Sequence, residues 1–475
     1  MADFLIKNLA QYTTLDPGGG YAGVGIDNRG FPHFAYTRPG ASPRIIYHTY
    51  LGRDSGGWVT HEISTTTSRP QFAMIGRDSS GNPSIIWMDG NDSLFQRGRM
   101  FHNVRTGAYN SWNGNLIGET LPTNEFYIPP SMDVHKGTAG VWADGEVEVA
   151  CAKRINAPIY WDLKARHAYV NLPAAWAGPW DSPTALNVMT TGISGTVFQR
   201  KKHISLADPS TQYPYILTAV FSNLQMTFYD GASFMGNELV ASGLNPQTDT
   251  INACFSTDNY LVVVYSDNNN IYLATRKTKA HTPVGSNYDV VTVATGVDAR
   301  FLTVKVTSNN DIIIGATENS SSQWKVRCYW VRGARPWTSA TITSQLVESS
   351  AVTTRAWGMH DMALDQNDFP HFVYPMNGGI AGAGTDWYRY ARFMGNIASY
   401  TKGIYQRIAG TPDENARWSM DSNVSSALQA RFQNVPPSAI NGKVVLVDPE
   451  DEYAIARVKT SAGDKGILRY KVGTI

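Results

Sequence analysis

A ten-residue pattern that returns along the chain constrains the fold more than any other feature. It reads Asp, two free positions, Gly, any residue, Pro, any residue, an apolar residue, any residue, an aromatic one. The first copy runs from Asp27 through Gly30, Pro32 and Phe34 to Tyr36, the second from Asp78 through Gly81, Pro83 and Ile85 to Trp87. A third, from Asp365 through Pro370 and Phe372 to Tyr374, lacks only the Gly and repeats the Phe-Pro-His-Phe-x-Tyr of the first. Asp closes a tight reversal by bonding its own backbone, and Gly accepts positive φ there. Pro at the first residue of the next strand costs no ladder bond. The apolar and aromatic positions then alternate with period two, as a half-buried strand requires. The pattern is a β-hairpin.

Weaker copies fill the gaps: Asp208 before Tyr213 to Ile216, Asp258 before Tyr260 to Tyr265, Asp311 before Ile312 to Ile314. Between Met132 and Trp142 a turn at Lys136-Gly137 separates two short runs. The hairpins fall near positions 27, 78, 135, 208, 257, 309 and 365, mostly 50 to 58 residues apart, with an insertion expected in the step from 135 to 208. After each comes a third alternating run, such as Ile45 to Leu51 or Trp324 to Trp330, and often a fourth, such as Trp58 to Ile63 or Tyr288 to Val293. Four antiparallel strands repeated at this interval, with almost no helical periodicity, predict an all-β chain folded as a β-propeller of four-stranded antiparallel blades. Residues 1–410 are expected to form the propeller and 411–475 a closing blade or a small C-terminal β module. Phe4 to Leu9 reads as a lone strand of the fourth type. Seven blades is the favoured count. Eight is the alternative, in which this strand joins the runs 443–447, 453–458 and 467–472 in one closing blade.

Charge narrows the function. Lys and Arg number 40, Asp and Glu 39, and charged residues make up only 17% of the chain. A dedicated nucleic-acid binder needs a basic surface to displace counterions, so no nucleic-acid partner is expected. No apolar run nears the ~18 residues that span a bilayer, and no membrane insertion is expected. The N-terminal MADFLIKNLAQYTT shows no basic region followed by a long apolar segment, the mark of a secretory leader. Cys151, Cys254 and Cys328 are far apart and odd in number, and read as buried thiols. No HExxH, P-loop or EF-hand loop occurs, so no metal or cofactor is expected; Asp89 to Asp92 and Asp267 to Asn270 read as polar turns.

The turn-Pro-x-apolar-x-aromatic hairpins, with Gly56-Gly57-Trp58 opening a fourth strand, resemble the sialidase-like (bacterial neuraminidase repeat) propellers over roughly residues 15–410. That family's Ser-x-Asp-x-Gly-x-Thr-Trp box is missing; Arg53 to Trp58 only echoes it. The resemblance implies ligand contact at the loops leading into the innermost strands, where Arg69, Arg200, Arg300 and Arg355 lie. Guanidinium forks there would suit a carboxylate. It also implies a Tyr nucleophile with a Glu base, for which Tyr127 beside Glu125 is the available pair. A polysaccharide lyase of similar architecture would use His and Tyr for proton transfer, with His48, His102, His167 and His360 as candidates. His33 and His371 hold equivalent repeat positions and read as structural.

The loops are rich in Gly, Ser, Thr, Asn, Tyr and Trp. Trp112, Trp176, Trp180, Trp337 and Trp357 are read as loop aromatics that could face a ligand, since aromatics stack on sugar faces or anchor interfaces. The ligand-binding candidates are therefore Arg69, Tyr127, Arg300, Arg355, Trp357, Trp112 and Trp180. The low charge, all-β character and polar loops resemble phage tail and receptor-binding proteins. The favoured expectation is a non-enzymatic propeller on a virion, oligomeric within its assembly, contacting host-surface glycan or neighbouring virion proteins. The alternative is a secreted polysaccharide lyase or sialidase-like glycoside hydrolase acting on acidic glycans.

Overall fold

The computed structural model describes residues 4–12, 22–27, 30–38, 44–51, 57–63, 70–89, 99–105, 112–117, 126–127, 131–134, 144–145, 147–156, 159–168, 185–191, 203–211, 213–220, 223–229, 234–244, 251–267, 269–280, 283–285, 287–320, 323–349, 361–376, 386–393, 403–406, 416–420, 430–432, 453–459 and 465–471. Among these every regular element is a β-strand. The chain divides into a compact unit from Phe4 to Phe393 and a second unit formed by Met1–Asp3 and Met394–Ile475.

The first unit is a β-propeller. Strand β1 (Phe4–Tyr12) comes first in the chain and is placed last, as described below. Blade 1 is β2 (Ala22–Ile26), β3 (Pro32–Arg38), β4 (Arg44–Leu51) and β5 (Gly57–Glu62). Blade 2 is β6 (Pro70–Arg77), β7 (Pro83–Asp89), β8 (Arg99–Arg105) and β9 (Trp112–Ile117). In blade 3 a short β10 (Phe126–Tyr127) precedes β11 (Ser131–Val134), and both pair with β12 (Val147–Asn156), followed by β13 (Ile159–Ala168) and β14 (Ala185–Thr191). Blade 4 is β15 (His203–Ala207), β16 (Pro214–Val220), β17 (Asn223–Tyr229) and β18 (Phe234–Ser242). Blade 5 is β19 (Ile251–Phe255), β20 (Leu261–Ser266), β21 (Asn270–Arg276) and β22 (Tyr288–Thr295). Blade 6 is β23 (Asp298–Val306), β24 (Ile312–Ser320), β25 (Gln323–Arg332) and β26 (Thr341–Ser349). Blade 7 is β27 (Asp361–Leu364), β28 (Pro370–Met376), β29 (Asp386–Phe393) and, antiparallel to β29, strand β1.

Among the described residues the first strands run next to one another in the order β2, β6, β11, β15, β19, β23, β27 and back to β2. The ring closes through β1, which pairs with β29 from Phe4↔Phe393 to Tyr12↔Asp386. The eight-blade alternative places Phe4 to Leu9 with the C-terminal runs; among the described residues this strand pairs with β29 instead. Pairing across the seam removes two open sheet edges. The second unit holds a sheet of β30 (Gly403–Gln406), β31 (Ala416–Met420) and β32 (Ala430–Phe432), and the hairpin of β33 (Tyr453–Lys459) with β34 (Lys465–Lys471). The turn expected at Lys136-Gly137 lies outside the described residues; β11 pairs with β12 from Ser131↔Ala150 to Val134↔Val147.

Alternation along each strand delivers the core, which lies between adjacent blades. Leu217 and Phe228 of blade 4 meet Ile251 and Val263 of blade 5. Val264 and Leu273 of blade 5 meet Val304 and Ile314 of blade 6. Phe4 carries the seam into this scheme, packing with Trp330 of blade 6 and Phe372 of blade 7.

The hairpin turns are built as the repeat implies. Asp27 Oδ1 accepts from the Phe31 N–H at 2.8 Å, and Asp365 Oδ1 from the Phe369 N–H at 3.0 Å. Gly30 and Gly81 take φ of 82° and 86°. Where the third copy lacks the Gly, Asp368 adopts φ 62°, as do Asn259 and Asn310 in their blades. Asp and Asn are the side chains that tolerate this region best. The turns also hold each other. The Ser79 N–H and hydroxyl donate to Asp144, those of Thr257 to Asn310, and those of Ser308 to Asp368, at 2.5 to 3.0 Å. Each pair joins one blade to the next.

Candidate functional site

The first strands of all seven blades wall an axial cavity of about 680 Å³. Small residues open it. A Cβ on Gly25 would lie 2.9 Å from the Arg77 side chain, so only glycine lets that stem pass between blades 1 and 2. Burial holds the Arg77 guanidinium down to about 10, against the pull of Asp27.

Three polar side chains in the wall repeat one role in alternate blades. Asp133 Oδ1 accepts from the Val134 N–H at 2.9 Å, and its Oδ2 from Ala207 of blade 4 at 3.0 Å. Asn252 Oδ1 accepts from Ala253 at 2.8 Å, and its Nδ2 donates to the Leu302 carbonyl of blade 6 at 3.1 Å. Asp361 Oδ1 accepts from Met362 at 2.8 Å, and its Oδ2 from Val24 of blade 1 at 3.0 Å. Each satisfies backbone groups on two neighbouring inner strands. Repeat reading did not pick out these residues. Asn252 and Asp361 do share a sequence position, four residues ahead of Ser256 and Asp365, the first residues of their turns.

One end of the cavity, here termed its mouth, is the rim where the inner strands begin, lined by Ala22, Ser131, Ile251, Phe301 and Asp361. At blade 5, Asp267 accepts from the Asn269 and Asn270 N–H groups at 3.1 and 2.8 Å and from the Tyr272 hydroxyl at 2.8 Å. Burial alone would raise the Asp267 carboxyl; these hydrogen bonds outweigh it and hold the group below its usual value. Tyr272 stacks on Tyr265 with centroids 5.1 Å apart. This is a self-satisfied polar turn, and no metal-holding cluster of His, Cys, Asp or Glu occurs among the described residues. At blade 6, Arg300 forks onto Asp298, with Nε and Nη2 at 3.2 and 3.1 Å from the two carboxylate oxygens. Both side chains are about 30% exposed. The inner strands of blades 2 and 6 are both bulged near their starts, between Gln71 and Met74 and between Arg300 and Thr303. Aromatic residues fall in both bulges, Phe72 and Phe301.

Of the ligand-binding candidates, Arg69, Arg355, Trp357 and Trp180 lie outside the described residues, as do Arg200 and Trp176. Tyr127 stands on β10, opposite Lys153. Arg300 stands near the start of β23, opposite Thr317 and beside Phe301. Trp112 opens strand β9 rather than standing in a loop; it is half-buried and packs edge-on against Tyr47 of blade 1 at 4.9 Å. The Gly and Asn that follow it resemble loop residues, yet the register carries Asn113 to Ile117 along β8. Trp337 is corrected too, being fully buried between blades 5 and 6.

The histidines divide by burial. His33 Nδ1 is hydrogen-bonded to the Tyr47 hydroxyl, and its Nε2 lies 3.3 Å from Asp27. His371 repeats this with Tyr390 and Asp365. Burial pushes His33 down to about 4 despite Asp27. His102, considered above for proton transfer, is corrected: it is buried within blade 2, and burial pushes it down to about 3. Cys254 and Cys328 are free thiols, Cys328 fully buried and Cys254 in the cavity wall.

No family model and no curated protein matches the chain. Several solved structures are similar at low identity. The NanB sialidase from Streptococcus pneumoniae is 10% identical, with TM-score 0.40, over 82% of this chain and 70% of that one. The GH93 alpha-L-arabinofuranosidase of Fusarium graminearum is 9% identical, with TM-score 0.43, over 82% and 98%. A PL25 ulvan lyase is 11% identical, with TM-score 0.43, over 68% and 83%. Likeness at this level transfers no activity, and the propeller architecture rests on the strand pairing itself.

Proposed function

We propose that the protein is a glycan-binding propeller that works without catalysis, meeting its ligand at the mouth of the axial cavity. The observation that carries this reading is the state of the wall carboxylates. A glycosidase needs two carboxyl groups ready to exchange protons or attack at the anomeric carbon. Asp78 instead accepts from the Asn82 N–H and Nδ2 at 2.6 and 2.9 Å, and Asp133 and Asp361 are engaged at both oxygens by backbone N–H groups of two blades. Protonating or displacing either would strip the adjacent strands of hydrogen-bond partners. Among the described residues, Phe301 lines the cavity, and the Arg300–Asp298 fork beside it, about 30% exposed, is open to a ligand there. A polar hydroxylated ligand can exchange hydrogen bonds with such a fork at little cost, because exposed ion pairs are weak.

Display on a virion, alone or beside neighbouring virion proteins, is the finer form of this reading. It is supported by the balanced charge and by loops rich in Gly, Ser, Thr and Asn. The experiment incubates the purified chain with sialylated and uronate-rich oligosaccharides, measuring binding and product together. Binding without product is expected. Turnover at an ordinary enzymatic rate overturns the non-catalytic reading, and neither binding nor product overturns the glycan reading.

A further inference from the structure

Phe301 stands apart from every other described residue with positive φ. Asn259, Asn310 and Asp368 occupy a turn position that suits them, and Trp337 is locked in the core. Phe301 has φ 54° in the bulge of β23, a conformation that a bulky side chain rarely takes. Its neighbours Ala299, Leu302 and Val304 pack into the core between blades 5 and 6, and Phe301 does not belong to that cluster. It is half-buried and lines the axial cavity.

The strain is held from outside. The Ser266 hydroxyl donates to the Ala299 carbonyl at 3.0 Å, and Asn252 Nδ2 donates to the Leu302 carbonyl at 3.1 Å. Blade 5 thus grips the backbone of blade 6 on both sides of the aromatic residue. A bulge re-aims a side chain, and backbone strain maintained by surrounding structure clusters at ligand sites. Glycine would satisfy this backbone without strain.

Resting on the glycan reading above, we propose that Phe301 is the stacking platform of the site. It is held in a left-handed bulge so that its ring meets the apolar face of a pyranose entering the cavity. A space of about 680 Å³ is ample for one or more sugar rings. Ring faces of aromatics give the flat apolar contact that a pyranose offers in return.

The test measures Tm and the affinity for each sialylated or uronate oligosaccharide that the parent chain binds, in Phe301→Gly and Phe301→Tyr. Phe301→Gly is expected to raise Tm by about 1–3 °C, since it relieves the left-handed strain, and to weaken oligosaccharide binding about tenfold. Phe301→Tyr is expected to keep both. A fall in Tm for Phe301→Gly would make the ring a packing element and overturn the proposal. So would unchanged affinity in Phe301→Gly. A parent chain that binds no oligosaccharide overturns the glycan reading and the platform with it, whereas unchanged affinity in the Gly variant overturns the platform alone.

Discussion

Where the inner strands turn into the second strands, neighbouring blades are close copies; where the inner strands begin, they are not. On the turn side, Ser79, Thr257 and Ser308 each grip the next blade in the same way, through N–H and hydroxyl together. His33 and His371 sit in matching Asp-His-Tyr chains. On the mouth side, blade 5 carries a tyrosine-capped Asp turn, and blade 6 a forked Arg300 and a strained Phe301. Repetition marks what every blade must do to stay in the ring. Divergence marks where one blade is free to differ from the next, which is where a ligand that is not itself repeated has to be met.

The same contrast holds for buried charge and gives the largest expected effect. Glu238 of blade 4 and Arg276 of blade 5 form a pair with both side chains about 1% exposed, with the Val284 N–H also donating to Glu238 at 2.7 Å. Glu238→Ala leaves a buried guanidinium without its counter-charge and is expected to cost about 3–5 kcal/mol in urea unfolding. A loss below about 1 kcal/mol would show that this side of the molecule is not where the ring is held.

Next comes acid. An exposed His titrates near 6.5, while His33 in the folded chain does so near 4 and His102 near 3. Below about pH 6.5 the unfolded chain takes up protons that the folded one refuses. Stability is therefore full above that pH and is lost as pH falls through the window down to about 4. Each buried histidine accounts for roughly 3 kcal/mol of that loss. Unfolding curves between pH 7.5 and 4.5 should display the slope, and His102→Gln should flatten it. An identical slope in the variant would place the acid sensitivity elsewhere.

Smallest is the mouth-side counterpart of the buried pair. Arg300→Ala breaks a fork that water already reaches, so its expected cost is below about 1 kcal/mol in the same urea assay. A cost equal to that of Glu238→Ala would erase the distinction between the two sides.

The difference also explains what could be read from the residues alone. The Asp-x-x-Gly-x-Pro hairpin is local: turn chemistry and period-two alternation sit within ten positions, so Asp27, Asp78 and Asp365 announced the architecture. The wall clamps are not local. Asp361 meets Val24, a partner 337 residues away, and Asp133 meets Ala207, 74 residues away. No periodicity within a strand points to such a bond. Trp112 misled for a related reason. Its Gly- and Asn-rich surroundings have loop composition, but an outer strand with one face against another blade tolerates them once Tyr47 supplies the packing. Phe301 looks like any strand aromatic until its φ is known.

The pairing of the first strand with the last blade reaches beyond the finished molecule. Asn8 accepts a hydrogen bond from Arg389, 381 residues later. At roughly 5–20 residues per second of synthesis, the ribosome needs on the order of 20–80 s to deliver the partner of a segment it made 381 residues earlier. Throughout that interval an apolar N-terminal ribbon, headed by Phe4, has no sheet to join, and each completed blade exposes a face meant for the next. The last blade made is thus the one that shelters the first strand, and a chain stopped short of it would carry unsealed edges ready to pair with another copy.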